Sequence, residues 1–207
     1  MTALPRLRLT TPVTRLRNLP RIEADAELRS APDFFDIRWE ILIDCHTLRR
    51  DPAETIYSPT LPFARVRNIL LERPEPRFGE DLYGAILDEM APDEWHYGFA
   101  DDSLIVPGFF KALRDAIDSG AEAVVFPMSI GEGHHCNAHA DALHRGVVSG
   151  GQLAFRRSIL GEVRWRLGDK YLDGIFIEDL WRETGARAAW RFLEGPTLQH
   201  NQLPRDR

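Results

Sequence analysis

The chain has 207 residues, 43% of them hydrophobic and 28% charged, with a formal net charge of −6. That length can bury one sizeable core and predicts a single domain over residues 1–207. The acidic balance excludes a nonspecific nucleic-acid binder, which needs a basic surface to neutralise phosphates. No apolar run approaches the roughly 20 residues a membrane helix requires, so no integral membrane segment is expected. Two cysteines, Cys45 and Cys136, and an N-terminus without an apolar leader predict a reduced, cytoplasmic protein.

In chain order, Leu7–Pro12 is the first predicted strand, and it leads to Pro20–Leu28, where an opening proline and early acids predict a helix. Arg6, Arg8, Arg15, Arg17 and Arg21 concentrate positive charge around this unit, which reads as a solvated face or as a patch for an anionic ligand or surface. Trp39–Asp44 and Val66–Leu71 are the next strands, and the polar, proline-containing stretch Cys45–Pro62 between them is expected to be irregular. Leu82, Ile86, Leu87 and Met90 predict a helix over Asp81–Met90. Glu94–Ala100 is an aromatic strand that delivers Asp101 and Asp102 to its tip. Pro107 then opens a helix with Phe109, Phe110, Leu113 and Ile117 at helical spacing. Glu122–Met128, Gln152–Phe155 and Ala188–Leu193 complete the strands, and Ser129–Ser149, with four histidines and three glycines, reads as a long irregular connection. The alternation predicts an α/β fold with a largely parallel sheet.

Ligands of open α/β sheets bind beyond the carboxyl ends of the strands, and paired carboxylates there suit a hard divalent cation that itself holds phosphates. Asp101 and Asp102 fit that description; the plainer reading is a turn pair capping the following helix. A second pair, Glu178 and Asp179, lies in Tyr171–Gly185, with Gly185 as a helix stop and the pair near the first turn of a short helix. Partly shielded by Phe176, Ile177 and Trp181, one of these carboxylates could serve as a general base, or the pair could simply face solvent. In Gly131–His144, His135 and His139 would share a helix face, which raises structural zinc, although no second cysteine pair accompanies them.

Taken together, these motifs resemble one family. A strand ending in Thr11-Pro12-Val13, a second ending in Ile41-Leu42-Ile43-Asp44, the run Phe99-Ala100-Asp101-Asp102-Ser103 followed by Leu104-Ile105 and Pro107, and Phe176-Ile177-Glu178-Asp179-Leu180 look like a GT-A-fold glycosyltransferase of the family-2 type. The resemblance spans roughly residues 7 to 201. It implies a Rossmann-like nucleotide-binding half and a mixed, mostly parallel sheet flanked by helices.

The resemblance also implies an activity and its parts: a metal-dependent, inverting transfer of a sugar from a nucleoside-diphosphate sugar to an acceptor hydroxyl, in polysaccharide or glycoconjugate biosynthesis. Thr11, Pro12, Asp44 and Asp101 would line the nucleotide-sugar site, with Asp44 at the base or ribose, and Asp102 would reach a Mn²⁺ or Mg²⁺ ion. Ala100 stands where the family often has a third Asp. Asp179 would be the catalytic base, with Glu178 as the alternative. Gly150 and Gly151 would let the backbone approach the donor, and Arg156 or Arg157 could face the diphosphate. The loop over 131–144 would meet the acceptor, and His200 would reach the cation or diphosphate from a tail that folds back. Partners would be the donor and an acceptor glycan or small hydroxyl compound, with an oligomer or a partner protein supplying what so short a chain lacks. Two rivals use the same residues: a noncatalytic nucleotide-sugar-binding module, and a metal-dependent phosphohydrolase or nucleotidyltransferase.

Overall fold

Each of the seven expected strands forms, although the expected Glu122–Met128 is divided, with Ala123–Val125 and Met128–Ile130 in different sheets, and Leu71 of the expected Val66–Leu71 lies outside the described residues. In the computed structural model, which describes residues 3–70, 80–130, 134–136, 139–143, 148–165, 172–195, 198–200 and 203, the chain runs β1 (Arg6–Val13), α1 (Leu19–Glu23), α2 (Ala26–Ser30), β2 (Asp36–Asp44), α3 (Cys45–Leu48), β3 (Ala64–Ile69) and α4 (Gly84–Leu87). It continues with β4 (Trp95–Gly98), α5 (Phe109–Asp118), β5 (Ala123–Val125), β6 (Met128–Ile130), β7 (His134–Cys136), β8 (Leu153–Arg156), α6 (Leu172–Thr184), β9 (Trp190–Phe192) and β10 (Leu198–His200). The main sheet has the order β3-β2-β1-β4-β8-β5-β9. Only β8 runs antiparallel to its neighbours, β4 and β5.

Period-two alternation divides the core between the two faces of this sheet. Leu7, Leu9 and Val13 of β1, Trp39, Ile41 and Ile43 of β2, Trp95 and Tyr97 of β4, Val124 and Ala154 join the α1, α2 and α5 side. Leu42, Ala123, Val125, Leu153 and Phe155 join Leu82, Ile86 and Leu87 on one segment and Phe176, Ile177 and Leu180 of α6 on the other face. With both faces covered, the strands can be apolar on both sides, which is why β2 is buried almost throughout.

The helices are shorter than the sequence predicts, for local reasons. The helix expected over Pro20–Leu28 is two helices, because Asp25 takes an extended conformation and its side chain accepts from the Glu27 and Leu28 amides to start α2. Over Asp81–Met90 a 3₁₀ turn, Glu80–Tyr83, precedes α4, although Leu82, Ile86, Leu87 and Met90 are all buried as expected. The helix after the carboxylate pair starts at Phe109 rather than at Pro107, since Gly108 sits at φ 84, a left-handed conformation that suits glycine. Glu27 reaches across from α2 to accept from the Gly108 and Phe110 amides, both at 2.9 Å, and so supplies the anion at the start of α5.

Two expected irregular stretches carry structure. Cys45–Pro62 contains α3 and is tied down by buried Glu23, which accepts from the Tyr57 hydroxyl at 2.7 Å and the Thr60 amide at 2.8 Å. In Ser129–Ser149, β6 and β7 pair antiparallel, so His135 lies on a strand rather than a helix face shared with His139. Residues 131–133, 137–138 and 144–147 of that stretch lie outside the described residues. The arginines near the N-terminus do not form one solvated face: Arg6 pairs with Asp93, and Arg8 is buried against Glu94 at 2.8 Å.

Candidate active site

The strand order reverses between β1 and β4: β2 and β3 lie outward of β1, and β8, β5 and β9 outward of β4. Such a switch point opens a crevice at the carboxyl ends of the strands. The Asp101–Asp102 turn of β4 meets the turn after β1 here. Asp101 Oδ2 accepts from the amides of Thr14 at 2.7 Å and Arg15 at 2.6 Å, while Arg15 Nη1 donates to Oδ1 at 2.5 Å. Asn18 Nδ2 donates to the Asp101 carbonyl at 3.0 Å. Asp101 therefore pins the β1 turn to the β4 turn.

Asp102 shares Arg15 with Asp101 and also meets the C-terminal segment. His200 Nδ1 lies 3.4 Å from its Oδ1, and Arg15 Nη1 lies 3.5 Å from its Oδ2. His200 does not trail after a last strand: it ends β10, which pairs parallel with β6, and its ring is 2.8 Å from Ser103 Oγ. The tail is held further by the Leu104–Gln199 bridge and by the Leu203 amide, which donates to the Asp102 carbonyl at 3.1 Å. Leu203 is buried in the core. The described residues of the tail thus lie against the Asp102–Leu104 segment and are anchored there by a buried apolar side chain.

Thr11 and Pro12 lie buried near the end of β1, and Thr11 Oγ1 accepts from the Trp39 indole at 2.9 Å. Asp44 ends β2 and caps α3, accepting from the Thr47 amide at 3.0 Å and hydroxyl at 2.7 Å. Gly150 and Gly151 open the 3₁₀ turn Gly150–Gln152 that leads into β8; the Tyr97 hydroxyl donates to the Gly151 carbonyl at 3.0 Å. The close approach that requires glycine at 150 is to protein: a Cβ there would stand 2.8 Å from Asp173 Oδ2, which accepts from the Gly150 amide at 2.8 Å. Arg156 and Arg157 lie at the other end of the sheet, because β8 runs antiparallel and pairs Arg156 with Trp95 at the start of β4. Arg157 Nε donates to the Leu87 carbonyl there.

Glu178 and Asp179 are not in the first turn of a short helix. They are mid-way along α6, a helix of 13 residues, and Asp179 is ion-paired with Arg182. Asp179 lines a cleft of about 670 Å³ formed by Leu160–Trp165 and the second half of α6, a cleft that does not include the Asp101–Asp102 turn. The first turn of α6 holds Asp173 instead, about 9 Å up the axis from Asp179 at 1.5 Å per residue. Its carboxylate accepts from Gly150 and, at 3.2 Å, from Trp165 Nε1. Burial raises its pKa, opposed by those two donors.

Arg15 and Asp173 are further candidates that the sequence does not single out. Asp173 carried a signal, a carboxylate at the entry of the same apolar helix, but the adjacent Glu178–Asp179 pair drew the assignment. Arg15 was legible only as one of a cluster of basic residues suited to an anionic ligand, because its partner Asp101 lies 86 residues away in sequence.

Two carboxylates with a histidine could receive a cation. Asp101 is committed to four donors of the β1 turn, which leaves Asp102 and His200 as ligands, and an oxygen with an imidazole suits Mn²⁺ completed by phosphate oxygens and water. Among the described residues no group of three or more His, Cys, Asp or Glu could hold a metal by itself. The pair therefore fits a cation that arrives with phosphate, and no zinc cluster is present among those residues.

This is the GT-A fold of glycosyltransferases. Among solved structures, S. aureus TarS 1–349 superposes with a TM-score of 0.63 at 14% identity, over 94% of this chain and 60% of that one. The same protein in complex with UDP-GlcNAc gives 0.67 at 13% identity, over 97% and 59%. A mannosyltransferase from Pyrobaculum calidifontis in complex with GDP-Man and Mn²⁺ gives 0.61 at 12%, over 97% and 58%. The chain thus spans about three fifths of the length of these solved chains. No family model and no curated protein sequence matches the chain.

Proposed function

We propose that this chain binds a nucleoside-diphosphate sugar at the β1/β4 crevice and transfers the sugar, with inversion, to an acceptor hydroxyl. The observation that carries this is the convergence of the Asp101–Asp102 turn, the β1 turn and His200 at the switch point of a GT-A fold. The complexes of the structural neighbours with UDP-GlcNAc and GDP-Man support a nucleoside-diphosphate sugar as the donor class. Asp102 and His200 would hold a divalent cation, which supplies charge neutralisation for the departing diphosphate. Thr11, Pro12 and Asp44 remain the candidates for the nucleotide end, and Asp101 shapes the turn on which the phosphates rest.

The transfer needs a base for the acceptor proton. Asp179 is one candidate, with Glu178 beside it and an adjoining cleft large enough for an acceptor. Asp173 is a second, favoured by its contact with Gly150 and by a pKa moved upward, toward the range where a base works. Asp173→Asn and Asp179→Asn each keep shape and remove the proton acceptor. Loss of roughly 10²-fold or more in transfer, with donor binding kept, identifies the base. Product analysis tests the reaction class: a nucleoside diphosphate is expected, whereas free phosphate or pyrophosphate would indicate a hydrolase or nucleotidyltransferase. Donor binding without turnover in any acceptor screen would leave the binding-module reading.

A further inference from the structure

We infer that Arg15 binds the donor diphosphate directly, held in place for it by the carboxylate pair. This rests on the donor site proposed above and deepens it. Arg15 lies in the turn after β1, and its backbone amide is fixed by Asp101 Oδ2 at 2.6 Å. Its side chain approaches the acidic pair through one nitrogen: Nη1 is 2.5 Å from Asp101 and 3.5 Å from Asp102. Among the described residues Nε and Nη2 meet no carboxylate, and the side chain keeps 18% exposure, so that part of the guanidinium faces outward beside the crevice. A guanidinium is a rigid fork of five donors, and one edge can satisfy one anion while another takes a second. The chemistry that suits the remaining N–H groups at this position is an oxyanion of high charge density, which a diphosphate provides and a neutral sugar or base does not.

The arrangement also solves a charge problem. Two adjacent carboxylates at the floor of the crevice, both almost fully buried, would repel a diphosphate. Arg15 neutralises them and keeps N–H groups that they do not use, and the two buried anions in turn hold the flexible side chain so that little entropy is lost when the ligand arrives. A cation at Asp102 and His200 would act on the same phosphates from the other side of Asp102. The arginine contribution does not depend on that ion.

The test is the affinity of UDP and GDP in EDTA, measured by calorimetry, with uridine and guanosine followed by ligand-observed NMR, for the wild type, Arg15→Gln and Arg15→Lys. Arg15→Gln should weaken the preferred diphosphate about tenfold or more and leave its nucleoside within about threefold. Arg15→Lys keeps charge without the fork and should fall between the two; it also serves if Arg15→Gln folds poorly. Unchanged diphosphate affinity in Arg15→Gln overturns the inference, as does an equal loss for diphosphate and nucleoside, which would make Arg15 only a support of the β1 turn. Wild-type protein that binds neither diphosphate, with or without Mn²⁺, would instead sink the donor-site reading.

Discussion

Single buried groups set how this protein responds to its surroundings. His96 is enclosed in the core, where Thr10 Oγ1 meets its Nε2 at 2.9 Å, and burial lowers its pKa from 6.5 to about 3. The unfolded chain therefore takes up a proton that the folded ring refuses, so stability falls as the pH drops from 6.5 toward 3, by up to about 1.4 kcal/mol per pH unit. In His96→Gln that acid limb should be shallower even if the variant is less stable at neutral pH. Chemical denaturation at several pH values measures it, and parallel slopes for the two proteins would show that other groups carry the acid sensitivity. Gly150 gives a steric prediction. A Cβ at 2.8 Å from the Asp173 carboxylate forces one of the two to move, so Gly150→Ala should cost about 1–3 kcal/mol in urea unfolding. Asp173→Ala in the same chain should recover part of that loss, because it removes the atoms that clash.

Among the elements, α5 and β10 depend on residues far away in sequence. Glu27 fills the role of an N-terminal cap for α5 from 81 residues upstream, accepting from two amides that would otherwise be left without a partner at the helix start. Glu27→Ala should destabilise by about 1–2 kcal/mol, read as a lower melting temperature, and Glu27→Gln by less because one oxygen can still accept. A melting temperature unchanged in Glu27→Ala would mean that water replaces the carboxylate without loss. Removal of Thr197–Arg207 is expected to do more than loosen a ligand contact. It takes away β10, the Leu104–Gln199 bridge and buried Leu203, so thermal stability should drop measurably along with nucleoside-diphosphate binding. Full retention of stability would remove the tail from the core.

Which elements were legible in the sequence follows from the same local-versus-remote distinction. The seven strands of the main sheet carry apolar runs or apolar–polar alternation in their own residues, and each forms. β6, β7 and β10 have three residues each, too few to show a periodic pattern, so their strand character rests on pairing with one another. The site divides likewise. Asp101 and Asp102 are visible as charges that end an apolar strand, and His200 as a histidine close to the C-terminus. The partnership of Arg15 with Asp101 and the contact of Asp173 with Gly150 exist only once β1 lies beside β4 and α6 packs beneath β8.

At the scale of the whole molecule, the fold brings three remote segments to one crevice: the turn after β1, the turn after β4 and the C-terminal tail. The claim that this crevice is a nucleotide-sugar site makes a direct thermodynamic prediction, since a ligand that binds only the native state raises its melting temperature by mass action. The decisive measurement is the melting temperature with UDP or GDP, each with and without Mn²⁺, in the wild type and in Asp102→Ala. One of the two nucleotides should raise the melting temperature of the wild type. Mn²⁺ should enlarge that rise, and Asp102→Ala should lose the Mn²⁺-dependent part while remaining folded. A melting temperature that neither nucleotide moves, in the presence or absence of Mn²⁺, would contradict the assignment.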